Sequence, residues 1–397
     1  MSEWIITTVG KLGKVVTGKT PSKNNPEDWG NEYLFITPSD YGNYNKSANH
    51  SIRGLSEEGY KRHKVRMIPK HSCLVTCIGS DMGKVVMNAE DAFCNQQINA
   101  LIPNTSIIDS DYAYYFFKDS ALILKTLGSD GTAVPILNKS DFEKIELSIP
   151  PLPEQKAIAS VLSSLDDKID LLHRQNKTLE AMAETLLIQH VLPREDEQND
   201  GLYLLGDYLE TISVTHKFPN PQVVFLNTSD IYKGKVLTHE LSEVKGLPGQ
   251  AKKSIKKGDI LFSEIRPANG RYALIDFDAD NYVVSTKLMV LRAKQPNLIG
   301  LLYFYLTNKQ VTDWLQVLAE SRSGTFPQIT FDQVADLELR LPQGSDLDNL
   351  IGLLDDILLK QSANNKQIQT LENLRDTLLP KLMSGEVRVQ YQTEEVA

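Results

Sequence analysis

Leu34-Phe35-Ile36-Thr37-Pro38-Ser39-Asp40 and Val224-Phe225-Leu226-Asn227-Thr228-Ser229-Asp230 are two versions of one stretch. Each is an apolar run that stops at a polar turn, and each is followed by the same series of segments. A basic run comes next: 61–70 (Lys-Arg-His-Lys-Val-Arg-Met-Ile-Pro-Lys) in the first copy, Lys252-Lys253-Ser254-Ile255-Lys256-Lys257 in the second. Cys73-Leu74-Val75-Thr76-Cys77-Ile78 then answers to Asp259-Ile260-Leu261-Phe262-Ser263-Glu264-Ile265, and Phe93 to Ile98 answers more weakly to Val283 to Leu288. An aromatic helix-like stretch follows in both (Tyr112 to Lys118, Leu301 to Lys309), then Gly131-Thr132 and Gly324-Thr325. A period of roughly 190 residues is too long for a solenoid. It is a duplicated module, which points to two similar binding heads and a two-part target.

After each module the apolar period becomes that of a helix. Ile158, Leu162, Leu165, Ile169, Leu172, Asn176, Leu179 and Leu186 form one stripe. Leu347, Ile351, Leu354, Leu358, Gln361, Asn365 and Ile368 form the other, which Leu371, Leu374 and Leu378 continue with a slight shift. The spacing is that of a coiled coil, and each stripe holds one Asn, Asn176 or Asn365, a residue that costs stability and fixes register. The expected pairing face comprises Leu162, Leu165, Ile169, Leu172, Asn176 and Leu179 on one helix, with Ile351, Leu354, Leu358, Asn365 and Ile368 on the other. An α+β fold is therefore predicted: two pseudo-repeated mixed α/β recognition domains, separated by two long antiparallel coiled-coil helices. The boundaries are 1–150 for the first domain, 151–193 for the first spacer helix, 194–345 for a linker and the second domain, 346–385 for the second helix and 386–397 for a flexible tail. A helix of about 37 residues within such a segment extends roughly 55 Å at about 1.5 Å per residue. One turn of DNA is about 34–36 Å, so such a rod suffices to set two half-sites a turn apart.

The 397 residues have a formal net charge of −9, unpromising for a DNA-binding chain until the charge is located. Residues 1–150 carry a net −1 and 201–345 a net +1, whereas 151–200 carry −5 and 346–397 carry −4. The acidity lies in the helices, and the heads are near neutral with local basic runs. Such heads hold a phosphate backbone locally, with grip added by partner subunits. Cys73, Cys77 and Cys94 fit no disulfide framework, and with no membrane-spanning apolar run or signal peptide they point to a reduced, cytoplasmic setting.

Catalytic signatures are missing. There is no phosphate-binding Gly-Lys loop and no dinucleotide fingerprint, and the seven histidines show no metal-ligand spacing. The Asn-Pro-Pro-Tyr-like motif of amino-methyltransferases is not found. Asp166-Asp167 and Asp355-Asp356 are adjacent in their helices, do not face one another and read as solvated helix surface.

The run Gly131-Thr132-x-x-Pro135-x-Leu137-x-x-x-Asp141-Phe142, followed by Ile149-Pro150-Pro151-Leu152-Pro153-Glu154-Gln155-Lys156-Ala157-Ile158-Ala159 and Leu165-Asp166-Asp167-Lys168-Ile169, closely resembles the specificity subunit (HsdS) of type I restriction-modification enzymes. The second half departs from that pattern: Pro342-Gln343-Gly344-Ser345-Asp346 stands where Pro-Leu-Pro-Glu-Gln is expected. The resemblance implies that each module is a target recognition domain reading half of an interrupted, asymmetric double-stranded DNA sequence. It also implies that the helices set the gap and dock two modification (methyltransferase) subunits, and that restriction (motor and nuclease) subunits join them. S-adenosylmethionine, ATP and Mg are then expected on those partners, with no cofactor or metal in this chain and no catalytic residue. A self-sufficient adenine methyltransferase or endonuclease component, or a coiled-coil scaffold with no role on DNA, are the alternatives.

Base-reading residues do not carry over from the resemblance and are chosen by chemistry. Arg, Lys, Asn and Gln reach base edges, and Lys, Ser and Thr hold phosphates. The first head offers Lys19, Thr20, Lys61, Arg62, Lys64, Arg66, Ser80, Lys84, Gln96 and Gln97. The second offers Lys252, Lys253, Lys256, Lys257, Arg266, Asn269, Arg271 and Arg322.

Overall fold

A computed structural model describes residues 4–43, 46–128, 135–193, 202–322 and 327–390. The chain divides into two compact units, Met1–Leu172 with Gln367–Ala397, and His173–Lys366.

The stretch that opens the repeat does the same work in both units. Tyr33–Ile36 and Gln222–Leu226 are strands, each ended by a tight 3-10 turn. In each turn an Asp accepts the backbone N–H at the turn's start: Thr37 N donates to Asp40 Oδ2 at 2.8 Å, and Asn227 N to Asp230 Oδ2 at 2.8 Å. Short side-chain acceptors of this kind compete well for backbone donors, which is why Asp closes the motif twice.

Strand order repeats with it. In the first unit a five-stranded sheet runs Gly13–Thr17, Ile98–Pro103, Cys73–Thr76, Val85–Asn88, Ser47–Ala48. In the second, a four-stranded sheet runs Leu209–Thr211, Leu288–Ala293, Ile260–Ser263, Tyr272–Leu274. Each unit has a further four-stranded sheet built around a parallel pair, Tyr33–Ile36 with Ala92–Cys94 and Gln222–Leu226 with Tyr282–Ser285. The central strands Cys73–Thr76 and Ile260–Ser263 are buried along their whole length, which accounts for their continuous apolar sequence.

The long helices span Leu152–His190 and Ser345–Met383. Each contributes to the cores of both heads. In the first unit Ile158, Ala159, Leu162, Leu379 and Leu382 join the cluster built on Cys73, Val75, Leu101, Tyr115 and Phe117. In the second, Ala183, Leu187, Leu350, Ile351, Leu354 and Ile357 join the cluster around Ile260, Phe262 and Leu302. Within each unit the two helices run antiparallel. Ile169 and Leu172 pack on Ile368 in the first. In the second, Asn176 Nδ2 donates to Asn365 Oδ1 at 2.9 Å, and Asn364, which is 1 % exposed, donates to Asn176 Oδ1 at 2.8 Å. The expected Asn pair is therefore met, with Asn364 as an unforeseen third member.

The stripes differ in detail from the reading. Leu165, Leu179 and Leu358 are half-buried. Leu374 is 45 % exposed, and its neighbour Arg375 turns inward instead. Arg375 Nη1 lies 2.8 Å from Asp166 Oδ1, and Tyr115 donates to Asp166 Oδ2 at 2.8 Å. Asp166 is thus buried and paired, contrary to its reading as solvated surface, whereas Asp167 is exposed. The repeat partner Asp355 is half-buried against the first turn of the helix Ile299–Thr307; a Cβ on Gly300 would come within 2.3 Å of its Oδ1. Adjacent residues on a helix point about 100° apart, and packing on a head buries one acid of each pair.

The Pro-Pro-Leu-Pro-Glu-Gln signature is a joint between head and helix. Gln155 donates to Pro150 O and Ile107 O and accepts from Asp109 N at 2.9 Å. Glu154, fully buried, takes Arg388 Nη2 at 2.8 Å. Arg388 also lies over the ring of Trp4. The segment 386–390, read as the start of a flexible tail, is therefore anchored; 391–397 lie outside the described residues.

Removing one partner of a buried pair leaves the other charge desolvated, at a cost of about 3–5 kcal/mol. Asp166→Ala is expected to lower unfolding free energy by that amount in urea titration. Asp166→Ala with Arg375→Ala should cost less than the two single changes added together.

Candidate nucleic-acid interface

Four predicted cations of the first head lie in one stretch, the helix Glu57–His63 and the 3-10 turn Lys64–Arg66. Their supposed counterparts lie on the strand Ala251–Ser254 and the turn after it. The two basic runs thus coincide in sequence position and differ in structure. Lys61 pairs with Glu58 at 2.8 Å, and Arg62 with the buried Asp28 at 2.7 Å. The first pair lies within the helix itself, and the second ties the helix to its own head. Lys64 lies over the ring of Tyr60, and Arg66 Nη1 donates to Thr17 O at 2.7 Å.

The Arg66 contact brings it to a second group. Lys19 N donates to Cys94 O at 2.9 Å, Thr20 Oγ1 to Gln96 Oε1 at 2.8 Å, and Cys77 N to Gln97 O at 2.7 Å. Lys19, Thr20, Arg66, Gln96 and Gln97 therefore share one edge, and Gly79, next to Ser80, adjoins it, with Gln97 Nε2 3.8 Å from where its Cβ would stand. Lys84 pairs with Asp81 at 2.6 Å on the same loop. Burial of Cys94 beneath this edge pushes its thiol up to about 12, and Cys77 likewise, so neither is a nucleophile at neutral pH.

In the second head Lys253 is not available to a ligand. Its ammonium donates to Thr286 O at 3.1 Å and Leu288 O at 2.8 Å and sits 3.8 Å from Glu264. Burial lowers its pKa, with Glu264 opposing. Lys252, Lys256 and Lys257 are exposed. The loop Glu264–Arg271 carries Arg266, Asn269 and Arg271, with Arg266 and Asn269 exposed. Arg271 Nη1 donates to Ser229 O and Ile231 O, each at 3.1 Å, and its guanidinium lies 5.3 Å from the centre of the Tyr232 ring.

Lys233 was missed by sequence reading. It forms the tip of the hairpin Ile231–Tyr232/Lys235–Val236 with φ +43°, next to Gly234 at φ +83°. Consecutive left-handed residues are what a two-residue hairpin requires, and Gly234 is needed because a Cβ would meet Tyr303 Oη at 2.5 Å. Lys233 N donates to Gly270 O at 2.7 Å, and its ammonium lies 5.6 Å from the Tyr232 ring centre. The hairpin and the loop thus form one surface on which Tyr232, 42 % exposed, lies among Lys233 and Arg271, cations with an aromatic face among them as single-strand and base-stacking surfaces have. The Lys-Gly dipeptide between short apolar runs was the available signal. The side chain of Arg322 and both Gly-Thr pairs lie outside the described residues. Among the described residues no group of His, Cys, Asp and Glu is arranged to hold a metal, and no helix is long and apolar enough to cross a membrane.

A family model for the type I restriction modification DNA specificity domain matches residues 1–181 and again 212–373. Residues of this chain are 48 % identical over 181 positions to the specificity subunit of type I restriction enzyme HindI from Haemophilus influenzae. That match spans 44 % of this chain and 39 % of the relative, less than half of its length. The specificity subunit of type I restriction enzyme MjaIX from Methanocaldococcus jannaschii is 26 % identical over 418 positions, covering 98 % of this chain and 94 % of that one. The crystal structure of a type I restriction-modification S subunit from M. genitalium shares the fold, with TM-score 0.61 at 17 % identity and 96 % coverage of both chains.

Lys252, Lys256 and Lys257 differ from Lys253 in a measurable way. Changing the three exposed lysines to Gln should reduce the slope of log affinity against log salt by up to about 0.9 for each phosphate no longer neutralised, with the melting temperature unchanged. Lys253→Met should instead lower the melting temperature and leave the slope as it was.

Proposed function

Because the chain belongs to the type I restriction modification DNA specificity family, we propose that it is the non-catalytic specificity subunit of a type I restriction-modification complex, and that each of its two target recognition domains reads one half of a bipartite, asymmetric DNA sequence. The observation that carries this reading is the duplication. One strand order occurs twice in the chain, with a polar and cationic loop surface on each copy, and the family match is itself double. Two copies of one scaffold with different surface residues suit two different half-sites. They do not suit a single active site, whose groups must converge on one set of reacting atoms.

The long helices set the number of base pairs between the half-sites and dock two methyltransferase subunits. Those partners supply the adenine chemistry with S-adenosylmethionine, and restriction subunits add ATP- and Mg-dependent work. The complex acts on duplex DNA in the cytoplasm. The heads' small net charge is consistent with weak binding by this chain alone, since affinity for DNA rises with the number of phosphates neutralised. Partner subunits add the remaining grip. The heads of this chain position the bases and perform no bond-making step.

The test is a methylation map of random-sequence DNA treated with the chain assembled with its methyltransferase subunits. One interrupted target is expected; methylation without sequence preference would overturn the reading. Matched seven-residue insertions, one in each long helix, keep the pairing faces nearly in phase and add about 10 Å. They should lengthen the gap by about three base pairs, at about 3.4 Å each, and leave the bases read unchanged. An unaltered gap would refute the spacing role.

A further inference from the structure

The loop after the central strand has the same backbone in both heads, with one exchange. In the first head Ile78 bridges to Ile136, Gly79 N donates to Pro135 O at 3.1 Å, and Gly79 O accepts from Met82 N at 3.1 Å. In the second, Ile265 bridges to Gln328, Arg266 N donates to Pro327 O at 3.2 Å, and Arg266 O accepts from Asn269 N at 2.9 Å. Gly79 has φ +93° and Arg266 has φ +47°. The later Gly83 and Gly270, at φ +88° and +67°, also correspond. The scaffold thus demands a left-handed residue at this point. Glycine meets that demand without strain, and the second head meets it with arginine.

Arginine is a poor local choice here. Its Cβ opposes positive φ, and as the residue before Pro267 it is drawn toward extended backbone by the proline ring. The strain persists because both sides of the loop are fixed. The Pro327 bond holds one side, and Ala268 N donates to Gln316 Oε1 at 3.3 Å on the other. Among the described residues nothing within the head offsets it. Arg266 is exposed, and among the described residues it is the one arginine whose side chain has no hydrogen bond, ion pair or ring contact. Arg271 and Arg292 of the same unit, by contrast, are held by carbonyls and by Asp259. Backbone strain kept by a rigid loop under an uncommitted side chain is the pattern of a binding contact.

We infer that Arg266 reads a guanine in the half-site taken by the second head, by the paired N–H donation to O6 and N7 that suits a guanidinium. The first head, with Gly79 in its place, makes no such contact. This inference rests on the specificity-subunit reading and assigns one base to one residue.

The test uses the full chain assembled with its methyltransferase subunits, and maps methylated sites on random-sequence DNA for the parent, Arg266→Gly and Arg266→Lys. The parent is expected to require a guanine at one position of the half-site read by the second head. Arg266→Gly installs the first head's residue. It should lose roughly ten- to a hundredfold of discrimination at that position alone, and melt at the parent's temperature or above. Arg266→Lys keeps the charge and should keep the salt dependence, while losing most of the guanine preference. Unchanged preference in Arg266→Gly, loss spread over both half-sites, or a parental second half-site without guanine would each overturn the inference. A parent complex with no sequence preference at all would sink the specificity-subunit reading instead.

Discussion

Antiparallel pairing of the two long helices inside each unit is the constraint on which the remaining structure depends. Neither head is complete from its own module. Leu379 and Leu382, from the far end of the sequence, belong to the core that Cys73 and Phe117 build. Ala183 and Leu187, from the end of the first helix, belong to the core of Ile260 and Leu302. A slip of one residue along the helix pair would therefore disturb a head core as well as the stripe. This gives physical sense to polar groups at the seam. Asn176, Asn364 and Asn365 satisfy one another only in one alignment, and so do Asp166 with Arg375 and Glu154 with Arg388. Mispairing leaves buried amides and charges without partners, which costs more than imperfect apolar packing.

What the sequence disclosed and what it concealed divide along the same line. Patterns extended over many residues were legible. Two helical stripes, a duplicated strand series and a pair of matched asparagines each put several residues under one geometric rule, so local noise averages out. Fates of single residues were not legible. Asp166 looked like its neighbour Asp167, and only the arrival of Tyr115 and Arg375 from distant segments separates them. Leu374 sits on the predicted stripe yet faces solvent, because its neighbour Arg375 is the one drawn inward by Asp166.

Basic residues show the same limit at the candidate interface. A run of cations in sequence records charge, but not whether that charge is already engaged. Arg62 and Lys253 are bound to their own head by Asp28 and by two backbone carbonyls. Lys233, in no run, stands at the tip of a hairpin beside Tyr232 and Arg271. The informative quantity is the uncommitted donor, and that depends on tertiary neighbours.

Duplication offers a control that a single domain lacks. Where both heads keep a residue in one conformation, as Asp40 and Asp230 do at their turns, the scaffold accounts for it. Where the backbone is kept and the residue changes, the scaffold cannot be the reason for the new side chain. Gly79 and Arg266 are such a case. The fold asks only for left-handed backbone there, and glycine answers that request at least cost. The inferred guanine contact supplies a reason outside the fold, in a ligand group that touches one head and not the other. Two heads that share a frame and differ at its exposed loops are thereby equipped to read different sequences.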